Sequence, residues 1–121
     1  MKDSPDREGL LRKLERSNEV SIAVTGRKSK RKVSAPVWFV VDGAKVTLVP
    51  MKGTDSPWFK NLVKDPQIEL KAGGTGATFK ATIVRDPERV EGVLDRFRAK
   101  YKSTWSESYY TKRDVYVEVP L

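Results

Sequence analysis

The chain reads as an α+β protein, mainly β: six antiparallel strands closed into a barrel, with helices packed outside. Three observations predict this. Short runs alternate apolar and polar residues at the period of a half-buried strand. Several neighbouring runs are joined by turns too tight to hold a crossover helix, which disfavours a parallel sheet. Three segments with helical spacing stand apart from the strands, each opened by a capping signal.

The first helix runs from about Asp6 to Ser17, with Leu10, Leu11 and Leu14 on one face and Ser4 or Asp6 placed to cap it. Val20, Ile22 and Val24 alternate with polar residues as a strand. A second strand spans Val33 to Val41. Pro36 lies inside it and cannot donate to a ladder, so this strand belongs at an edge or a bulge. Asp42-Gly43 signals a hairpin into a strand carrying Val46, Leu48 and Pro50. Ser56 as N-cap and Pro57 at the first helical position open a two-turn helix from Trp58 to Lys64, which Asp65-Pro66 stops. Gln67 to Lys71 and Ala77 to Val84 form strands joined by a hairpin at Gly73-Gly74-Thr75-Gly76. Asp86 and Pro87 start the longest helix, whose stripe Val90, Val93, Leu94, Phe97 and Tyr101 faces the core. Val115, Val117 and Val119 mark the last strand.

At 121 residues the chain is a single domain, 1–121, long enough to bury a core. No stretch approaches the roughly 20 apolar residues of a membrane span. The start, Met1-Lys2-Asp3-Ser4-Pro5-Asp6, lacks an apolar signal core, so a cytoplasmic protein is expected. Cysteine and histidine are absent. That excludes disulfides, thiolate nucleophiles, Cys/His zinc sites and histidine general bases. An enzyme of this composition relies on carboxylates, lysines, tyrosines or a cofactor. The net charge of +8 points to an anionic partner without choosing among nucleic acid, membrane surface and a multiply charged small molecule.

Arg27-Lys28-Ser29-Lys30-Arg31-Lys32 puts five cations into six residues between two strands. Guanidinium and ammonium donors match phosphate or carboxylate oxygens, and Gly26 lets the backbone approach closely; a solvated hairpin would look the same. A second constellation, Lys52-Gly53-Thr54-Asp55-Ser56-Pro57-Trp58-Phe59-Lys60-Asn61-Leu62, sets a lysine and a glycine before a helix amino terminus, where free amides favour an anion. A third gathers Tyr101, Trp105, Tyr109 and Tyr110 among lysines near the carboxy terminus.

Taken together, GRKS (Gly26 to Ser29), PVWFVVDG (Pro36 to Gly43), LVPMKGTDSPWFKNL (Leu48 to Leu62) and Asp65-Pro66 make the sequence resemble the deazaflavin-dependent nitroreductase family. That family belongs to the flavin/deazaflavin oxidoreductases, split β-barrels related in fold to pyridoxamine phosphate oxidases. The resemblance implies a six-stranded split barrel binding coenzyme F-420, a hydride carrier with a phosphodiester and an oligoglutamate tail. By motif, Arg27, Lys28 and Ser29 would hold the phosphate and tail. Pro36, Val37 and Trp38 would line the adjoining groove. Val49, Met51 and Lys52 would flank the ring, and Trp58 and Asn61 would complete the pocket. Either Tyr109 or Tyr110 is the tyrosine expected over the substrate side. No catalytic acid or base and no metal is expected. The loop departs from relatives in having Ser29-Lys30 where Ser-Gly is common, and Val33-Ser34 where further basic residues are frequent.

The expected function is therefore F-420-dependent hydride transfer to a small organic acceptor, with a homodimer as the expected assembly. FMN is the alternative cofactor, and a coenzyme carrier without turnover is the non-enzymatic alternative. A single-stranded nucleic-acid-binding barrel, with Trp38, Phe39 or Trp58 stacking bases, is the rival class. The aromatics, split between strand, helix and tail, speak against it.

Overall fold

The computed structural model describes residues 4–121, with side chains from residue 9 onward except Glu107. The charged start at residues 1–3 and the side chains of the expected caps, Ser4 or Asp6, lie outside what is described. Three helices, α1 (Ser4–Glu15), α2 (Pro57–Lys64) and α3 (Pro87–Lys100), are interleaved with eight strands in the described residues. The strands are β1 (Val20–Thr25), β2 (Lys32–Val37), β3 (Val40–Asp42), β4 (Lys45–Leu48), β5 (Gln67–Ala72), β6 (Thr75–Lys80), β7 (Thr82–Val84) and β8 (Tyr116–Pro120). They form two antiparallel four-stranded sheets, ordered β2-β1-β5-β6 and β3-β4-β8-β7.

This corrects the expectation of six strands in one barrel. Two of the expected strands bend, and each bend hands the chain from one sheet to the other. The run 33–41 breaks at Trp38-Phe39: β2 pairs with β1, with Val20 opposite Val37, and β3 pairs with β4, with Val40 opposite Thr47. The run 77–84 breaks at Ala81, whose amide donates to the Pro66 carbonyl at 2.8 Å instead of to a ladder. β6 stays with β5 and β7 joins β8. Period-2 patterning is blind to such a bend because side chains keep alternating through it. Pro36 sits on β2, an edge strand, opposite Ser21.

The turns follow their local chemistry. Gly73 and Gly74 both have positive φ (56° and 82°), the two-residue geometry whose twist matches the flanking strands. Asp86 accepts from the Glu88 amide and caps α3. Ser56 occupies the N-cap of α2 without capping by its side chain; its Oγ accepts from the Lys52 amide at 3.0 Å.

The main core lies between the sheets and α1. Leu10 and Leu14 of the helix pack with Ile22, Leu48, Ile68, Leu70 and Val117. A second cluster joins α3 to the bend: Val90, Leu94, Phe97 and Tyr101 pack with Val40, Val49 and Tyr110, and Trp38 lies against them. Tyr101 organises this region. Its ring stacks on Trp38 at a centroid distance of 4.1 Å and 7° between planes. Its hydroxyl accepts from the Phe39 amide at 3.1 Å and lies 2.8 Å from the Asn18 carbonyl and 3.0 Å from that of Phe39. Burial pushes its phenol up to about 12, with the Phe39 hydrogen bond pulling the other way and the Glu19 charge adding to the rise.

Tyr101→Phe strands the buried Phe39 amide, and the expected loss is about 1–3 kcal/mol of stability near neutral pH. The unfolded phenol ionises from 10.0 upward while the folded one holds its proton to about 12. In that window the native state binds more protons, so wild-type stability falls as pH rises, and the variant escapes this loss. Denaturant titrations at about pH 8 and about pH 11 are expected to show the gap between the two proteins narrowing.

Candidate functional site

Between the bend and the start of α2 lies a cleft of about 240 Å³. One wall comes from the end of β2 and the bend, with Ala35, Pro36, Val37 and Trp38; the other comes from Val49, Met51 and Lys52 after β4, then Ser56, Pro57 and Trp58 at the start of α2. Tyr110 completes it from the carboxy-terminal segment. Seven of the residues singled out from the sequence, Pro36, Val37, Trp38, Val49, Met51, Lys52 and Trp58, are thus brought together.

The remaining four do not line the cleft. Asn61 is buried (6% exposed) in α2, and its Oδ1 accepts from the Arg27 amide at 3.1 Å and from the Arg27 guanidinium at 2.8 Å. The same guanidinium nitrogen reaches the Pro57 carbonyl at 3.4 Å. Asn61 is therefore the fastener between α2 and the basic hairpin, and Arg27 is the strap. Lys28 and Ser29 are exposed at the hairpin tip, where Ser29 Oγ accepts from the Arg31 amide at 3.2 Å. The tip is a closed turn: the Gly26 amide donates to the Arg31 carbonyl at 2.7 Å, and the Lys30 amide to the Gly26 carbonyl at 2.9 Å. A Cβ on Gly26 would lie 2.6 Å from Ser29 Oγ and 3.2 Å from the Arg31 carbonyl, so a side chain there would displace the Ser29 hydroxyl from the Arg31 amide. Lys28, Lys30 and Arg31 have no side-chain hydrogen-bond or ion-pair partner among the described residues.

The aromatic wall is braced from behind. Trp38 carries Tyr101 stacked on it and the exposed Tyr109 edge-on at 5.6 Å and 78°. Tyr110, 3% exposed, stacks on Trp105 at 5.3 Å and meets Phe97 edge-on at 5.9 Å. Of the two tyrosines expected near the site, Tyr110 lines the cleft and Tyr109 flanks Trp38. The Tyr110 hydroxyl has no hydrogen-bond partner among the described residues, and burial, with Tyr101 adding, holds its phenol well above the usual range.

The Met51-Lys52 wall depends on a latch that no short motif signals. The Thr54 amide and hydroxyl donate to Asp114 at 3.1 and 2.8 Å, and the Thr111 amide donates to the Met51 carbonyl at 2.9 Å. Burial pushes the Asp114 carboxyl up, but the hydrogen bonds from Thr54, its own amide and the Lys112 charge outweigh this and hold it below its usual value. Gly53 turns the chain above the latch with φ of 53°, and a Cβ there would meet Asp114 and come within 2.7 Å of the Lys112 carbonyl. Partners some 60 residues apart leave no local pattern, so sequence reasoning passes over Asp114 and Thr54.

A family model described as "Uncharacterized protein conserved in bacteria (DUF2255)" matches residues 10–116. No curated protein matches the chain. Among solved structures, an F-420 reductase is 18% identical with a TM-score of 0.66, covering 93% of this chain and 90% of that one. An F-420-H2 dependent reductase is 22% identical with a TM-score of 0.60, covering 84% and 93%. A Listeria innocua protein described as a candidate pyridoxamine 5′-phosphate oxidase is 12% identical with a TM-score of 0.65, covering 93% and 90%. At these identities the likeness is one of fold.

Gly53→Ala is expected to destabilise the protein by at least about 2 kcal/mol, since left-handed strain adds to a backbone clash. Gly43→Ala, at φ of 62° in open space, carries the strain without the clash. Comparing the two melting temperatures separates the terms; equal losses would count against the latch.

Proposed function

The chain belongs to this bacterial family, and we propose that it is a flavin-type oxidoreductase that holds coenzyme F-420 and delivers a hydride to a small organic acceptor. The observation that carries this reading is an adjacency. An apolar, aromatic-walled cleft lies beside a hairpin bearing unpaired cations, and Arg27 ties that hairpin to Asn61 and Pro57 of α2, the helix whose first residues line the cleft. A flat ring joined to a chain of anions matches both halves. The fold shared with F-420-dependent reductases and a pyridoxamine-phosphate-oxidase-like protein supports it.

The bound coenzyme would supply the hydride-carrying carbon. The chain's own residues supply position and environment. Trp38, Val49, Met51 and Trp58 give the ring apolar contact and exclude water. Lys52, whose side chain has no partner among the described residues, offers a positive charge at the polar edge of the ring. Lys28, Lys30 and Arg31 meet the anionic tail. Tyr110, kept protonated by burial, offers a hydroxyl donor to the acceptor. FMN, with a single phosphate, would use fewer of these cations.

Equilibrium titrations of F-420 and FMN at low and high salt test the reading. F-420 is expected to bind more tightly, and its affinity to fall as salt rises because the tail contacts are exposed and screened. Tighter FMN binding with no salt dependence would overturn it, and selective affinity for single-stranded nucleic acid would favour the rival class.

Lys52→Met keeps the apolar stem and deletes the charge. We expect an unchanged melting temperature and an F-420 Kd raised about tenfold, or ~1.4 kcal/mol. An unaltered Kd in the folded variant would remove Lys52 from the site.

A further inference from the structure

Between α3 and the sheet β3-β4-β8-β7 lies a second cavity, of about 290 Å³, that shares no residue with the cleft. Its floor comes from the two middle strands. Thr47 of β4 stands opposite Glu118 of β8, and Tyr116 lies two residues before Glu118 on the same face. The other wall is one face of α3, where Arg89 and Arg96 sit two helical turns apart with Gly92 between them.

Two features of this cavity have no use within the chain. Thr47 is 5% exposed and Tyr116 3% exposed, yet neither hydroxyl has a hydrogen-bond partner among the described residues. Polar groups buried to this degree nearly always have one. Neither hydroxyl is sealed from solvent, and the cavity is the opening that both residues line. The second feature is Gly92, which stands inside a helix, where glycine is the poorest choice after proline. A Cβ there would meet no atom within 4 Å, so no close packing within the chain requires its absence. What the glycine leaves is open space between the two arginines.

The carboxylates of the cavity are already matched. Glu118 lies 3.5 Å from Lys45 and 3.8 Å from Arg89, and Asp42 lies 3.0 Å from Arg96. Three cations, Lys45, Arg89 and Arg96, against these two carboxylates leave one positive charge in excess. The groups left over are donors: the Thr47 and Tyr116 hydroxyls, and the guanidinium N–H groups that the ion pairs do not use.

We infer that this cavity is a binding site for a small oxyanion, a phosphate or a carboxylate, held on the Thr47 and Tyr116 hydroxyls and seated over Gly92 between Arg89 and Arg96. Its buried hydroxyl floor sets it apart from the exposed cations of the basic hairpin, whose attraction for anions is general and screened by salt. Because the cavity and the cleft share no residue, failure of this site leaves the coenzyme reading untouched.

The test is heteronuclear NMR of the full chain, titrated with inorganic phosphate and separately with acetate at neutral pH and constant ionic strength. The amides of Thr47, Gly92 and Tyr116 are expected to shift and saturate together, with a Kd at least about fivefold below that of any shift at the hairpin amides of Lys28 and Lys30. Whichever anion gives the lower Kd names the charged group of the ligand. Shifts at Gly92 that are absent, or no tighter than those of the hairpin, would overturn the proposal. Thr47→Val and Tyr116→Phe each delete one hydroxyl at nearly unchanged shape, and each is expected to raise the Kd about fivefold or more. Gly92→Leu fills the seat and is expected to abolish binding while the melting temperature holds or rises, since leucine is the better helix residue. Wild-type affinity in Gly92→Leu, or in either hydroxyl variant, would remove the anion from this cavity.

Discussion

The structure depends on how the chain turns the corner between its two sheets at Trp38-Phe39. A strand leaving one ladder for another must abandon backbone hydrogen bonds, and buried amides left without partners are costly. The Tyr101 hydroxyl resolves this by accepting from the Phe39 amide while reaching the backbone carbonyls beside it, and Lys100 takes the Phe39 carbonyl. Two consecutive residues at the end of α3 thus satisfy the corner, and that helix is held to the sheets by the same contacts. Trp38 is then stacked on Tyr101 with its orientation set, which is the condition for a defined cleft wall.

The opposite wall is governed by the same logic in another material. Met51 and Lys52 lie on an irregular turn, and turns of this kind move unless their backbone groups are claimed. Asp114 and Thr111 claim them, and Gly53 lacks the Cβ that would meet the Asp114 carboxylate. Asn61 does the equivalent for the basic hairpin. In each case one buried or half-buried polar side chain converts a loop into a fixed part of the site. The side chains of Lys28, Lys30 and Arg31 at the hairpin tip are thereby left free of structural duty.

Much of this was legible in the sequence. Every helix and the strand segments lie close to their expected places, because cap residues, hairpin glycines and period-2 runs are local signals. Seven of the eleven candidate binding residues converge on one cleft. What escaped was long-range. The division into two sheets turns on Phe39 and Ala81, whose hydrogen bonds go to Tyr101 and Pro66 and leave no trace in the alternation. The family resemblance implies Asn61 as a pocket residue with Trp58, yet its amide oxygen is spent on Arg27, across 34 residues. Ser56 reads as a cap, and its hydroxyl serves Lys52 instead. The motif-based resemblance holds at the level of fold, while the matching family model is that of an uncharacterized bacterial family.

The Asp114 latch has a consequence for the order of events during synthesis. The first wall of the cleft, the bend at Trp38, and the second, at Met51-Lys52, are both translated in the first half of the chain, yet each is completed only by partners from residues 100–114. β4, at the centre of its sheet, likewise waits for β8. A nascent chain that ends before residue 100 has most of the residues of the cleft but neither wall in place, so the cleft cannot form early on the ribosome. Non-local closure of this kind slows folding, and it makes formation of the cleft wait on the synthesis of residues 100–114.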